Sequence, residues 1–413
     1  MTLRSGWTRG PLADVIDSIQ AGHSASGEAR QIGPSEVGVL TTSAVLSGVF
    51  DPSQHKAVAP HDRPRLKAPV TAQTIVFCRK NSEEVIGGSA FVEEDAPNLF
   101  LSDLLWSITA KGDADPRWLA YVLQHPDVRA RIRTVATGTQ VTMKNISRDR
   151  LLGIEIAIPP LAEQRKIADI LRTWDQAIET LGNLRKELLQ LRKWLRNNIL
   201  TGRVRVPGFS EDWITGPLSD VLHEHGATST GKEEVYSVSV HKGLVNQIEH
   251  LGRSYAGKNT DSYGVVRPGD IVYTKSPTGD FPLGIVKQSN VDADVIVSPL
   301  YAVFSPETVA LGSLLDAYFE SPTTTGNYLQ PLVQKGAKNT IAITNRRFLE
   351  GRLSLPRNEA EQRAIASILK SSAEEIRGLS LQIESLRLQK RGLMQNLMNG
   401  NVSDEREKRN GHA

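Results

Sequence analysis

The stretch AEQRKIADIL, Ala162–Leu171, returns almost unchanged as AEQRAIASIL, Ala360–Leu369, 198 positions later. Two helices with similar surfaces can arise in any helical protein, but agreement this close is more than that explanation accounts for. The stretch therefore indicates one end of an internal repeat, and such repeats decide a fold before local structure does.

The repeat extends over nearly the whole chain. Its other matched segments come at offsets between 196 and 206, so loops of different length separate them. Each copy therefore consists of a variable globular part followed by a more uniform segment. The matched pairs are WTRGPLADV (Trp7–Val15) with WITGPLSDV (Trp213–Val221), TIVFCRK (Thr74–Lys80) with DIVYTKS (Asp270–Ser276), NLFLSDLLWSI (Asn98–Ile108) with DVIVSPLYAVF (Asp294–Phe304), and GTQVTMKNIS (Gly138–Ser147) with GAKNTIAIT (Gly336–Thr344).

The uniform segments have the apolar spacing of long helices that pair. Residues recur at alternating intervals of four and three, which is typical of a coiled-coil seam. In the second copy only Ser372 and Lys390 interrupt the seam. The predicted pairing and docking residues are Ile167, Leu171, Trp174, Ile178, Leu181, Leu188, Ile365, Leu369, Ile376, Leu379, Ile383 and Leu386, and Leu184, Leu191 and Leu195 continue the first seam.

Proline precedes each predicted helix and glycine follows it, at Gly202 and Gly400. About 40 residues at about 1.5 Å each give a rod of about 60 Å. A rod of this kind can join separate chains into an oligomer. Two matching rods in one chain favour pairing with each other, as an antiparallel coiled coil with a pseudo-twofold repeat.

The globular parts contain both strand and helix patterns. TIVF, DVIVS and EVYSVSV predict strands, and ADPRWLAYVLQHPDVRARIRTV (Ala114–Val135) predicts one or two amphipathic helices. Regular strand–helix alternation is missing, so we expect an α+β fold with antiparallel or mixed sheets. The predicted domains are 1–157 and 204–354 (globular), 158–203 and 355–402 (long helices), and 403–413 (a disordered, charged tail).

The composition is that of an ordinary globular protein of more than one domain. The chain has 413 residues, a formal charge of +3 and a single cysteine, Cys78. One cysteine excludes an intramolecular disulfide and a cysteine zinc cluster, and fits a reducing cytoplasm. Neither a signal peptide nor a membrane span is expected.

Known catalytic motifs are not found in the sequence. GATSTGKE (Gly226–Glu233) resembles a phosphate-binding loop, but Glu233 replaces the required Ser or Thr and a strand pattern follows. The HEH triplet (His223–His225) lacks zinc-helix spacing, so surface histidines are the better interpretation. The Asn/Asp-Pro-Pro-aromatic tetrapeptide of amino-methylating enzymes is also missing. We therefore expect a non-catalytic chain without a metal site.

A basic segment recurs at the same place in both copies. Residues 128–150 contain six basic residues (Arg129, Arg131, Arg133, Lys144, Arg148, Arg150), and residues 335–352 contain five (Lys335, Lys338, Arg346, Arg347, Arg352). A solvated basic face would explain one such segment, whereas its recurrence favours nucleic-acid binding. The candidate DNA-binding residues are Arg79, Lys80, Thr139, Gln140, Thr142, Lys144, Asn145, Lys275, Ser276, Lys335, Lys338 and Asn339.

Together these residues resemble the specificity subunit of a type I restriction–modification system. The resemblance covers Trp7 to Val402 and is most specific at IPPLAEQRKIADIL and LPRNEAEQRAIASIL. The second copy departs modestly, with LPRNEAEQ for LPPxxEQ and NLMNGNV for LLTGRV. The resemblance implies two target recognition domains, each reading one half of a split double-stranded DNA site. The long helices would set the gap between the half-sites.

The resemblance also implies partners. Two methyltransferase subunits would dock on the helices and supply S-adenosylmethionine, and a motor–nuclease subunit would supply ATP and Mg²⁺ chemistry. No cofactor is expected in this chain itself. Two alternatives belong to other classes, namely a coiled-coil scaffold without affinity for DNA and a self-contained restriction–methylation enzyme. The missing catalytic motifs disfavour the second alternative.

Overall fold

The computed structural model describes residues 3–140, 143–251, 260–335 and 341–399. The chain divides into two compact units. Unit 1 comprises Met1–Leu181 with Gln382–Ala413, and unit 2 comprises Gly182–Leu381. Each unit therefore contains one globular part and a segment of each long helix.

The globular part of unit 1 is built from fourteen strands and three α-helices among its described residues. The helices are α1 (Pro116–Gln124), α2 (Pro126–Val135) and α3 (Arg148–Leu152), with 3-10 turns at Leu12–Asp14, Thr42–Val45 and Pro60–Arg65. The strands are β1 (Thr8–Pro11), β2 (Ile16–Ala21), β3 (Gly27–Glu28), β4 (Gly38–Leu40), β5 (His55–Val58), β6 (Pro69–Val70), β7 (Ile75–Cys78), β8 (Lys80–Asn81), β9 (Ser89–Phe91), β10 (Ala96–Phe100), β11 (Leu105–Ala110), β12 (Thr137–Gln140), β13 (Met143–Asn145) and β14 (Glu155–Ile158).

The first long helix, α4 (Leu161–Ile199), leads from unit 1 into unit 2, and the second, α9 (Glu359–Met398), leads back. The described part of unit 2 has strands β15 (Ile214–Pro217), β16 (Leu222–His223), β17 (Tyr236–Ser239), β18 (Gly243–Asn246), β19 (Gly264–Val266), β20 (Ile271–Tyr273), β21 (Val286–Gln288), β22 (Val295–Val297), β23 (Ala302–Pro306), β24 (Gln334–Lys335), β25 (Ile341–Ala342) and β26 (Arg352–Leu355). Its shorter helices are α5 (Gln247–Leu251), α6 (Val309–Tyr318), α7 (Pro322–Leu329) and α8 (Asn345–Glu350), with 3-10 turns at Leu218–Asp220 and Gln330–Leu332.

One sheet has the same strand order in both units. It runs β2-β11-β7-β9 in unit 1 and β16-β23-β20-β21 in unit 2. The central strands β7 and β20 come from TIVFCRK and DIVYTKS, the pair that the sequence comparison matched. The strands predicted from TIVF, DVIVS and EVYSVSV are confirmed, and the mixed helix–sheet class is confirmed with them.

The segment Ala114–Val135 forms two helices because its sequence supplies two helix starts. Asp115 caps α1 by accepting a hydrogen bond from the Trp118 amide, and Pro116 occupies the first turn. Pro126 starts α2 after the His125 side chain accepts a hydrogen bond from the Asp127 amide. The buried faces of both helices pack into the main apolar core of unit 1.

The long helices begin after a strand in each copy. β14 pairs antiparallel with β1, and β26 pairs antiparallel with β15. Ile158 and Leu355, where the helical segments were predicted to start, are the last residues of these strands and lie opposite Thr8 and Ile214. Their extended conformation delays the helices to Leu161 and Glu359.

The glutamate of each AEQ stretch makes the same contacts in both units. Glu163 accepts a hydrogen bond from the Trp7 indole at 2.9 Å and lies 3.7 Å from the Arg4 guanidinium. Glu361 likewise accepts from the Trp213 indole at 3.2 Å and from the Arg205 guanidinium at 2.9 Å. Each long helix is thereby attached to the start of its own globular part.

The following glutamine is buried and links the helix to the same globular part. Gln164 donates from Nε2 to the Pro159 carbonyl oxygen and accepts from the Asp115 amide. Gln362 donates to the Pro356 carbonyl oxygen and accepts from the Thr308 hydroxyl. Asp115 and Thr308 are the N-caps of α1 and α6, so equivalent positions are joined in the two copies.

The seam on α9 lies inside the packing, but part of the predicted seam on α4 does not. Ile365, Leu369, Leu379 and Ile383 are all buried. The assignment of Leu184 and Leu191 to the seam is wrong, since these side chains are 42% and 48% exposed. The residues four positions after Leu181 and Leu188 are Arg185 and Arg192, each of which directly follows one of the two exposed leucines. The guanidinium groups of these arginines contact α9 residues within unit 2.

Within each unit the helix segments run antiparallel. In unit 1 the Lys390 ammonium lies 2.5 Å from the Asp175 carboxylate. In unit 2 Arg192 donates to the Leu369 carbonyl oxygen, and Ile199 packs in one cluster with Ile365. Residues later in α4 therefore meet residues earlier in α9. Among the described residues, no helix has the length and apolar character needed to cross a bilayer.

The burial difference along α9 gives a stability prediction. Ile365 is fully buried, whereas Leu381 on the same helix is 59% exposed. Ile365→Ala should lower the free energy of unfolding by about 2–5 kcal/mol, because truncation leaves a cavity. Leu381→Ala should change it by less than about 0.5 kcal/mol. Urea unfolding followed by circular dichroism measures both, and equal losses would contradict the burial assigned to this face.

Candidate nucleic-acid interface

The candidate residues of unit 1 come together on one small sheet. β8 pairs with β13, which places Lys80 opposite Asn145 and Asn81 opposite Lys144. β13 in turn pairs with β12, which contains Thr139 and Gln140. Residues 79–81 and 139–145 are far apart in sequence, so this three-stranded sheet is what gathers them. Thr142 lies outside the described residues.

Two of the gathered cations already have protein partners. The Arg79 guanidinium donates from Nε to the Asp103 carbonyl oxygen at 2.8 Å and stacks over the Trp106 ring. The Lys144 ammonium lies 3.9 Å from the Glu83 carboxylate. Arg79 therefore has a structural role next to this sheet. Lys144 and Glu83 together present a hydrogen-bond donor and an acceptor that a ligand could contact.

Asn145 has unused hydrogen-bonding capacity. Its Oδ1 atom is buried and has no hydrogen-bond partner among the described residues. A buried amide oxygen without a partner is costly, and a donor group on a ligand would satisfy it. Met143 on the same strand leaves 46% of its surface exposed. Neither Met143 nor Glu83 was predicted from the sequence, because Met143 is an apolar residue within the basic segment and Glu83 lies outside it.

In unit 2 Lys275 is held in an unusual backbone conformation. Its φ is +57°, in the left-handed region that favours glycine. Gly284 packs so closely that a Cβ there would lie 2.8 Å from the Lys275 amide nitrogen. Burial lowers the pKa of the Lys275 ammonium, with the Glu224 carboxylate acting in the opposite sense. Ser276, the next residue, is exposed.

A lysine, a glutamate and an asparagine therefore lie close together in unit 2 as well. Glu224 accepts a hydrogen bond from the Asn345 side-chain amide, and its charge raises the pKa of Lys275 against the effect of burial. Asn345 also has a buried Oδ1 without a hydrogen-bond partner among the described residues. Glu224 and Asn345 were missed by the sequence analysis, which assigned Glu224 only to the HEH triplet. The remaining candidates are Lys335, which ends β24, and Lys338 and Asn339, which lie outside the described residues.

Most arginines of the basic segments bind the protein itself. Arg129, Arg131 and Arg150 donate to the backbone carbonyl oxygens of Glu84, Glu155 and Val135. Arg352 donates to the Thr215 carbonyl oxygen, and Arg346 and Arg347 both pair with Glu350. Of the arginines that the structure describes in the two basic segments, Arg133 and Arg148 are the exceptions, with exposed side chains that make no hydrogen bond or ion pair. The local basic excess is thus largely structural.

The remaining chemical groups support structure. His225 is not a surface residue, contrary to the interpretation of the HEH triplet: its Nε2 lies 3.1 Å from the buried Asp270 carboxylate. Glu233 binds the Thr230 amide and hydroxyl, closing the loop that resembled a phosphate-binding motif. Burial raises the pKa of the Cys78 thiol to about 11. No group of metal-ligating side chains occurs among the described residues.

Comparison with known proteins gives one consistent result. Residues 68–190 match the model of the type I restriction modification DNA specificity domain. A type I restriction enzyme specificity subunit of Methanocaldococcus jannaschii, MjaX, is 23% identical over 96% of this chain and 93% of its own length. The EcoEI specificity subunit of Escherichia coli is 24% identical over 45% of this chain and 32% of its own.

Solved structures agree in fold over the full chain. The type I restriction–modification S subunit from M. genitalium has a TM-score of 0.61 at 16% identity, covering 96% of this chain and 98% of its own. A chain from a study of assembly and conformational transition of the type I system has a TM-score of 0.54 at 14% identity, covering 97% and 100%. Residues 68–190 therefore match the type I restriction modification DNA specificity domain, and nearly the whole chain is similar to specificity subunits of type I restriction–modification systems.

Proposed function

We propose that each globular part reads one half of a bipartite DNA site. The observation that carries this proposal is that two units with the same sheet order each pair a glutamate with a candidate donor side chain, Lys144 with Glu83 in unit 1 and Asn345 with Glu224 in unit 2. Lysine and amide groups donate to guanine and adenine edges, and a carboxylate accepts from cytosine. Loops and strands beside the shared sheet differ between the units, as reading two different half-sites requires.

The paired helices are proposed to set the spacer and to dock two methyltransferase subunits. In unit 2 the outer face of α4 keeps Leu184, Leu191 and Trp194 between 42% and 49% exposed. An exposed apolar face of this kind commonly contacts a partner. The positions 198 residues later, on α9, are Gln382, Gln389 and Gly392, which lack large apolar side chains. The two docking surfaces would therefore resemble each other in helix geometry rather than in apolar side chains.

The catalytic chemistry is proposed to reside in the partners. The sequence lacks the tetrapeptide with which amino-methylating enzymes hold a target base. S-adenosylmethionine would therefore be bound by the methyltransferase subunits, which flip an adenine in each half-site. ATP and Mg²⁺ would be bound by a motor–nuclease subunit. This chain would contribute sequence recognition and assembly in the cytoplasm.

A base-resolved map of methylated adenine in the source organism, with and without this gene, tests the proposal. Loss of one asymmetric split motif on deletion is the expected result. An unchanged map, in a strain shown to express the methyltransferase partner, would contradict it. A coiled-coil scaffold without affinity for DNA would instead self-associate and leave the map unchanged.

The unit 1 sheet gives a half-site prediction. Replacing Lys144 and Asn145 by alanine should weaken reading of one half-site by about 10- to 100-fold, since a good base contact contributes about 1–3 kcal/mol of discrimination. Methylation of duplexes mutated singly at each half-site measures the change. Lys56→Ala, an exposed lysine on β5 in the same unit, is the matched charge control. Equal loss at both half-sites would contradict independent reading.

The exposed face of α4 gives a docking prediction. Leu191→Glu with Trp194→Glu should weaken methyltransferase binding by about 30-fold or more, as expected for an interface hot spot. Co-purification stoichiometry and a titration of the two purified proteins measure the loss. Leu300→Glu, at a side chain that is 70% exposed in the globular part of unit 2, should leave binding intact. A stoichiometric complex with the double variant would exclude this face as the docking surface.

A further inference from the structure

Two basic residues interrupt the apolar seam of the long helices at equivalent positions of the repeat. Arg192 on α4 and Lys390 on α9 are separated by 198 positions, the offset of the AEQR stretch. Both side chains are largely buried, with 13% and 15% of their surface exposed. A charged residue at a seam position weakens apolar packing, so its presence in both copies calls for a specific partner.

In unit 1 the side chains that contact Lys390 come from two other helices. The Lys390 ammonium lies 2.5 Å from Asp175 Oδ1, and the Tyr121 hydroxyl donates to Asp175 Oδ2 at 2.7 Å. The same ammonium lies 4.9 Å from the centre of the Tyr121 ring. Tyr121 belongs to α1, Asp175 to α4 and Lys390 to α9, so one buried cluster connects the globular part to both helices.

In unit 2 a different set of residues makes the same three-way connection. The Arg192 guanidinium binds Glu320 through Nε and Nη2, at 3.2 and 2.5 Å. Its Nη1 donates to the Leu369 carbonyl oxygen at 2.7 Å and to the Ser372 hydroxyl at 2.8 Å. Glu320 lies in the globular part between α6 and α7, and Arg196 binds it as well. Ser372, the other interruption of the predicted seam, is thus a partner of Arg192.

These contacts are specific to one alignment of the helices. A slip of one heptad would bring Ala168 or Gly182 to the position of Asp175, and neither can accept from Lys390. The same slip would bring Ile365 or Leu379 to the position of Ser372 against Arg192. The apolar residues alone would tolerate such a slip, because leucine and isoleucine recur at every heptad. Buried polar residues are the known means of fixing register in paired helices.

We propose that Lys390 and Arg192 are positioning residues that determine the accepted spacer length. They fix the register of α4 against α9, and they hold each globular part in place on the paired helices. The inference rests on the proposed reading of a bipartite site. A slip of one heptad moves one helix along the other by about 10 Å, which corresponds to about three base-pair steps of B-DNA. An unlocked pair would therefore accept spacers that the native protein rejects.

The test is a genome-wide methylation map in a strain that expresses the chain with its methyltransferase. The lock is removed in unit 1 by Lys390→Leu with Asp175→Ala, which leaves an apolar seam and no unpaired carboxylate. Sites with the native half-sites but spacers up to four base pairs shorter or longer are scored. We expect methylation of off-length sites to rise about tenfold or more, with the half-site bases unchanged.

Three further variants make the outcome decisive. Lys370→Ala with Glu374→Ala removes an exposed ion pair from α9 and should keep the native spacing. Lys390→Arg retains the charge and should restore strict spacing. Tyr121→Phe removes only the hydroxyl link to Asp175, and should relax spacing even if the double variant fails to fold.

The possible outcomes separate the inference from the proposed function. If the unaltered protein methylates no split motif, the proposed function fails. If it methylates one spacer length, and the folded double variant and Tyr121→Phe are equally strict, the positioning role is overturned. A folded double variant that methylates nothing also overturns it, because the cluster would then serve binding rather than spacing.

Discussion

Each long helix starts from a carboxylate held by an indole. Glu163 with Trp7, and Glu361 with Trp213, attach the helix to the first strand region of its own globular part. The adjacent glutamine completes the attachment by joining the strand that precedes the helix to the N-cap of α1 or α6. The AEQ stretch is repeated because the same mechanical connection is needed twice. The rest of each unit is arranged around that connection.

The helix seam combines apolar burial with a few polar contacts that cannot be moved. Leucine and isoleucine supply most of the buried surface, but their spacing is the same at every heptad. Lys390 and Arg192 break this degeneracy because their partners occur at one register only. The partners differ in kind: Asp175 comes from a helix, whereas Glu320 comes from the globular part. The two basic residues therefore occupy equivalent positions of the repeat, whereas Asp175 and Glu320 do not.

The candidate recognition surfaces show how little of a basic segment is available to a ligand. Most arginines of these segments bind backbone carbonyl oxygens or a nearby glutamate. The available groups are mixed instead, with Lys144 beside Glu83 in unit 1 and Asn345 beside Glu224 in unit 2. A mixed donor–acceptor surface suits the reading of base edges, while uniform positive charge would mainly bind phosphates.

The sequence by itself determined the repeat, the two long helices, the two helices of Ala114–Val135 and the resemblance to type I specificity subunits. These features depend on periodicity and on local signals such as proline starts and polar caps, which a linear string contains. The tertiary structure decided which residues meet. It brought Glu83 to Lys144 and Glu224 to Asn345, gave His225 a buried partner, and gave Arg185 and Arg192, rather than Leu184 and Leu191, the contacts with α9. Such contacts join residues up to about 200 positions apart, and the pairing of strands and the register of helices that create them depend on packing over the whole unit.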